Sequence, residues 1–306
     1  MITNSRSDNV NTRNLVVDIL LAVTRDGAFS HIAIRDVLDK YRYLPKQDRA
    51  FITRLSQGTI ERMIELDAII NQFSKTKVKK MKPVIAAILR SGVYQLKYMD
   101  SVPDSAACNE AVKLTVKRGF GGLKGFVNGV MRTIARNMDQ IRYPDAEKEP
   151  VRYLSVKYSI PEWLVQRFTE QYGAEACERS LAAYLMPHPT SVQVDTDRSS
   201  VEEIIASLEQ QGITVRRNEQ VERALFLSGY EALDEIEEFE NGLLYVQDTA
   251  SMLAVELAAP KQGDHVIDVC AAPGGKSIHL AEMLDGTGSV ESRDLTGYKT
   301  GLIEEN

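Results

Sequence analysis

The sequence predicts a multidomain chain: an all-α front, a small α+β middle, and the start of an α/β, Rossmann-like domain. Three observations predict it. Apolar residues recur at helical spacing through residues 1–142, without a convincing alternating strand pattern. Within 143–240 the order becomes strand, helix, strand, strand. From His265 to Ser277 a short apolar strand meets a tight glycine turn and a helix start. The resulting division, 1–142, 143–240 and 241–306, fits the soft prior of roughly 100–200 residues per domain.

In the front, Leu15, Ile19, Ala22 and Val23 share one helical face, as do Ile85, Ile88, Leu89, Gly92 and Leu96 behind Pro83. Asp104 or Ser105 can cap a helix that carries Ala107, Ala111 and Leu114 and ends at Gly119. Such stripes bury themselves against one another.

The net charge of −6 conceals a split. Residues 1–140 carry 23 Lys and Arg against 13 Asp and Glu, which is +10, so the remainder carries −16. A basic front suggests a polyanion partner; a solvated basic helical surface is the alternative. Two clusters stand out, Lys75–Lys77–Lys79–Lys80–Lys82 and Lys117–Arg118–Lys124–Arg132–Arg136. Both suit phosphates, which position a nucleic acid without reading its sequence. The run Gly119–Phe120–Gly121–Gly122 lacks the strand and the Ser or Thr of a phosphate loop, so it reads as an inter-helix loop.

In the middle, Tyr143–Pro144 and Glu147–Lys148–Glu149–Pro150 read as a linker, and Pro161 opens a helix. Trp163, the sole tryptophan, is expected to anchor packing rather than offer a base-stacking platform. Pro187–His188–Pro189 breaks the next helix. Val192 and Val194 read as a strand, Ser199/Glu202 or Ser200/Glu203 as a capping box before a helix closed by Gly212, and Ile213–Val215 and Ala224–Leu227 as further strands. Glu235, Glu237, Glu238 and Glu240 read as a solvated acidic face.

At the far end, Tyr245 lies in a strand, Asp248 or Thr249 can cap a helix that stops at Pro260, and Val266–Val269 is the next strand. Glycines after a parallel strand let the backbone approach a ligand, and the following helix presents free N–H groups and a positive dipole end. Lys276 adds a cation for a carboxylate or phosphate. Asp294, 19 residues after Gly275, stands where such folds hydrogen-bond a ribose diol. An NTPase loop would need Gly at the position of Cys270, and the dinucleotide pattern G-x-G-x-x-G is absent. S-adenosylmethionine has no pyrophosphate, so a shorter turn and a ribose acid suffice.

These stretches also carry a resemblance. Gln47–Phe51, Ile88–Leu96, Val102–Pro103, Asn109–Val112 and Phe126–Arg132 resemble the NusB-like RNA-binding domain of bacterial ribosomal RNA cytosine-C5 methyltransferases, of the NOL1/NOP2/Sun family. Gln247-Asp248-x-Ala250-Ser251, Cys270–Lys276 and Arg293–Leu295 resemble the motifs that hold that family's cofactor. The resemblance implies S-adenosyl-L-methionine as cofactor, with Cys270, Ala271, Ala272, Pro273, Gly274, Gly275, Lys276 and Asp294 as its site. It implies small-subunit (16S) rRNA as partner and C5 of a cytosine as the methylated atom. The family's α+β unit carries an Arg-x-Asn pattern on its first strand; here the matching stretch is Val192-Gln193-Val194-Asp195, without the positive charge.

The family's two catalytic cysteines lie in Pro-Cys-Ser-Gly and Thr-Cys-Ser motifs, and this sequence has no Pro-Cys pair. No catalytic residue is therefore assigned, and the chain is expected to be a truncated form of the enzyme, inactive alone. With few of the family's parallel strands present, 261–306 is expected to be marginally stable. The alternative is a non-catalytic, NusB-type RNA-binding or antitermination-like protein. Three scattered cysteines argue for a reducing cytoplasm and against a disulfide framework or zinc site. No apolar run approaches the roughly 20 residues of a membrane span. No DNA or metal is expected, and the chain is expected to be monomeric.

Overall fold

The helical spacing of the front is realised, in a computed structural model, as α1 (Thr12–Thr24), α2 (Ser30–Lys40), α3 (Lys46–Glu61), α4 (Met63–Phe73), α5 (Pro83–Tyr98), α6 (Asp104–Lys117) and α7 (Lys124–Arg136). The structure describes residues 10–186, 188–230 and 233–306; the polar stretch 1–9 and Pro187 of the expected helix break lie outside them. The chain forms two compact units, Met1–Met186 and Pro187–Asn306.

Helix α5 is the axis of the first unit. Ile85, Ile88, Leu89 and Val93 are buried against Leu20 of α1, Leu55 of α3, Leu66 and Ile70 of α4 and Met131 of α7. Each such side chain contributes about 1.5–3 kcal/mol through burial. Gly92 permits the approach of α7: a Cβ there would lie 2.7 Å from Met131 Cε. Pro103, in extended conformation, occupies the N-cap of α6, so Asp104 falls inside the first turn rather than capping it. There it faces the positive end of the helix dipole.

The helices beyond the predicted linker, α8 (Pro150–Tyr158), α9 (Glu162–Tyr172) and α10 (Ala174–Ala183), share a small core of Leu154, Val165, Cys177 and Leu181. They belong to the first unit. Ser159, at φ +58°, ends α8, and its Oγ accepts the N–H of Ile64 at 3.0 Å at the start of α4. The Gln72 side chain donates to the Arg142 carbonyl at 2.9 Å and accepts the Arg142 N–H at 3.1 Å, fixing the connecting strand of chain along α4. Beside it, buried Glu65 accepts hydrogen bonds from Lys97 and from the hydroxyls of Tyr98 and Tyr143, and Arg62 stands 3.8 Å away. Burial, with the carboxylate adding to it, pushes both phenols well above their ordinary range, so both remain donors.

The second unit begins with β1 (Thr190–Val194), α11 (Val201–Gln210), β2 (Thr214–Arg217), β3 (Ala224–Ser228), α12 (Glu237–Glu240) and β4 (Leu244–Val246). Ser200 and Glu203 form the capping box of α11. The strands make an antiparallel sheet of order β2-β3-β1-β4 over a core that includes Val192, Val194, Leu208 and Leu225. The strand of Tyr245, expected beside the cofactor strands, instead pairs with β1, Gln193 opposite Tyr245. This register covers the edge of β1 that β3 leaves open. Of the acidic run, Glu235, Glu237 and Glu240 are exposed as expected, whereas Glu238 is buried and receives the Ser207 hydroxyl and the Gln211 amide, because α12 turns it under α11.

The unit continues with α13 (Thr249–Ala258), capped by Asp248, then β5 (His265–Asp268), α14 (Gly275–Met283), β6 (Ser289–Ser292) and α15 (Gly297–Glu305). β5 and β6 pair in parallel, His265 opposite Ser289 and Asp268 opposite Ser292. Among the described residues they form a sheet of their own. The apolar strand expected over Val266–Val269 is half-exposed: Ile267 is 46% and Val269, just past β5, 67% accessible. Parallel strands ordinarily have both faces covered, and here α14 lies against the sheet while much of the other face meets solvent.

Candidate cofactor site

The predicted cofactor residues converge on the C-terminal ends of β5 and β6, where parallel α/β sheets bind ligands. The chain leaves β5 at Asp268, and Gly274, at φ +121°, turns it into α14. Few L residues adopt that backbone conformation. The loop is pinned to the neighbouring strand: Ala271 N–H donates to the Arg293 carbonyl at 3.0 Å, and Arg293 N–H donates to the Asp268 carbonyl at 2.8 Å. The first-turn N–H groups of Gly275, Lys276 and Ser277 have no helical carbonyl before them and define a positive end.

Asp294 arrives from β6 on the same side. Its Oδ2 accepts the Ala272 N–H at 3.0 Å, and its Oδ1 accepts the Leu295 N–H at 2.7 Å and lies 3.1 Å from Lys299 Nζ. The Leu295 N–H, then Lys299 and the Ala272 N–H, hold its carboxyl below the usual carboxylate range against the opposing effect of burial. An ionised carboxylate only accepts, and Oδ2 retains acceptor capacity for a hydroxyl. The residues present therefore fit a ribose-bearing cofactor. Lys276 is exposed. A cleft of about 540 Å³ borders the loop at Pro273 and Gly275, facing Asp195 and Tyr245.

Sequence reasoning missed Asp268. Its Oδ1 accepts the Cys270 N–H at 3.2 Å and its Oδ2 the Ser277 hydroxyl at 2.9 Å, so one carboxylate spans the loop. An acid at the end of the strand was the available signal. The second missed group is Glu282 of α14. It accepts from the Tyr245 hydroxyl at 2.6 Å, from Arg223 at 2.7 Å and from Gln193 at 3.1 Å. Gln193, in the stretch that lacks the family's positive charge, is thus a buried partner of α14. Burial pushes the Glu282 carboxyl up and the Tyr245 phenol well up.

The three thiols stand apart. Cys108 and Cys177 are buried as packing residues and Cys270 is exposed in the loop. Burial raises the Cys108 thiol, which disfavours the thiolate a nucleophile needs. Among the basic clusters, Arg118 is a clamp onto α1, reaching Asp18 at 2.6 Å and both Oδ1 and the carbonyl of Asn14, while Lys75, Lys79, Lys80 and Lys124 are exposed. Trp163, expected to pack, is 66% exposed, because Val165 and Phe168 rather than Trp163 face the α8–α10 core.

Comparison with known proteins agrees with this arrangement. The NusB family model matches residues 10–136, the RsmF/B-like ferredoxin-like domain 160–233, and the 16S rRNA methyltransferase RsmB/F model 255–306. The chain is 36% identical over 294 residues to a probable ribosomal RNA small subunit methyltransferase B of Bacillus subtilis, covering 96% of this chain and 64% of that protein. It is 32% identical over 293 residues to one of Synechocystis, covering 95% and 65%. The chain thus spans just under two thirds of these relatives. The crystal structure of PH0851 shares the fold, with a TM-score of 0.71 at 23% identity over 98% of this chain and 67% of that one.

Proposed function

We propose that the chain belongs to the 16S rRNA methyltransferase RsmB/F family and forms part of an enzyme that methylates C5 of a cytosine in 16S rRNA with S-adenosyl-L-methionine. The observation that carries the reading is the meeting of the 270–276 loop with ionised Asp294 through the Ala272 N–H. The cofactor, when bound, supplies an electrophilic methyl group. Asp294 accepts its ribose hydroxyls, the turn at Gly274 lets the backbone approach, and the start of α14 with Lys276 suits its carboxylate. Cys270, Ala271, Ala272, Pro273 and Gly275 complete that wall. The basic helical front holds the RNA through phosphates.

Covalent activation of the cytosine needs a thiolate at C6. Cys108 and Cys177 are buried and Cys270 belongs to the cofactor loop, so the 306 residues alone bind without turning over. No described helix is long and apolar enough to cross a membrane. The experiment combines calorimetry with S-adenosylmethionine and methyl transfer to a 16S rRNA fragment. Asp294→Asn should weaken cofactor binding about tenfold, since a hydrogen bond to a charged group contributes about 1.5 kcal/mol or more. Unchanged binding removes Asp294 from the site, and methyl transfer by the wild-type chain refutes the need for further thiols. Salt-sensitive RNA binding without any cofactor binding would favour the non-catalytic NusB-type reading.

A further inference from the structure

The first unit holds a groove of about 860 Å³ between α4 and the start of α9. Its floor is built rather than incidental. Gln72 fixes Arg142 at two backbone points, Tyr143 is anchored on Glu65, and Ser159 ties the end of α8 to α4. Trp163 stands at its rim, 66% exposed, in a chain with a single tryptophan. An exposed indole on a preformed wall presents a flat apolar face with a polar edge.

The charges around it are unevenly committed. Asp67 is held by Arg90 through two 2.7 Å bonds, and Glu149 by Arg152 at 2.7 Å. Lys77, Lys79 and Arg142 are exposed and form no ion pair among the described residues; Lys77 Nζ donates to the Asn71 carbonyl. Glu162 is the one carboxylate of the lining that forms no ion pair among the described residues, though Arg152 feels its charge, so the three unpaired cations outnumber it.

The geometry points to a binding site for a single-stranded RNA segment in this groove, one base stacked on Trp163 and its flanking phosphates on Lys79 and Arg142. Aromatic stacking with neighbouring cations is the chemistry by which unpaired strands are held, and a duplex keeps its bases out of reach of the indole. This inference rests on the reading of the chain as an RNA-binding part and adds where and in what form the RNA is held. It gives a share of the recognition to the start of α9 and to α8, which lies between the two matched family models.

The test uses the full chain and a short oligouridylate, with the same sequence in a duplex as control. Because Trp163 is the sole tryptophan, its fluorescence reports this groove alone. The single strand should quench it and the duplex should not. By fluorescence anisotropy of labelled RNA, Trp163→Ala should weaken binding roughly 5- to 150-fold, and Trp163→Phe should restore most of it. Lys79→Ala with Arg142→Ala should weaken binding and flatten its salt dependence. Circular dichroism establishes that each variant is folded. RNA binding with no quenching and no loss in Trp163→Ala overturns the groove while leaving the RNA reading intact. Equal quenching by duplex overturns the single-strand assignment. Absence of any RNA binding by the wild-type chain overturns both.

Discussion

The Asp268 carboxylate accepts a hydrogen bond from the Ser277 hydroxyl at 2.9 Å, so the last residue of β5 is tied to the first turn of α14 across the loop. Asp268 also accepts the Cys270 N–H. Ser277→Ala leaves that carboxylate short of a donor in a partly buried place and should cost about 1.5–3 kcal/mol locally. Native-state hydrogen exchange of the α14 amides checks it. Unchanged protection would mean that the glycine turn alone shapes the loop.

A second expectation concerns acid. His279 of α14 is fully buried, with its Nε2 3.4 Å from Glu256. Burial, with Arg223 adding to it and Glu256 opposing, lowers its pKa below 6.5. A lowered folded value means that the neutral ring contributes stability above the unfolded value of about 6.5. That contribution is lost as pH falls through the lower folded value. Glu282 has the opposite sign: burial raises its carboxyl, so its contribution is full below the ordinary glutamate range and fades as pH rises through the folded value. His279→Leu should therefore flatten the loss of second-unit stability on the acid side of 6.5. Urea midpoints across a pH series, followed by exchange of second-unit amides, measure it; an unaltered acid limb would exclude His279 as its source.

The third concerns uneven firmness. Ile267, Val269, Leu257 and Leu295 are 46%, 67%, 84% and 92% exposed, whereas Ile52, Leu55, Ile88 and Leu89 of the first unit are fully buried. Stretches with little buried apolar surface open first. Limited proteolysis should cut within 261–306 before it cuts α3 or α5. Equal resistance of the two regions would show that the β5–β6 sheet is held by more than its visible packing.

Much of this was legible because each signal is local. The i, i+3, i+4 spacing around Ile88 is a property of one helix, and Gly274 announces its turn through the backbone freedom only glycine has. The pairing of β4 with β1 was not legible, since a three-residue strand carries no mark of its partner. Trp163 shows the same limit. Its type says that it prefers burial, but the helix phase that leaves it outward is set by Val165, Phe168 and Cys177, which fill the small core first. Asp268, Glu238 and Glu282 were missed or misread because an acid looks alike in sequence whether it faces water or a buried hydroxyl.

The bonds from Tyr245, Gln193 and Arg223 to Glu282 bear on mechanics rather than on chemistry. They cross from the antiparallel sheet to the helix that begins at the cofactor loop. Any displacement of that sheet against α14 must either break these bonds or carry the helix along with it. Glu282 is the one acceptor shared by all three donors, so the attachment of helix to sheet converges on a single side chain.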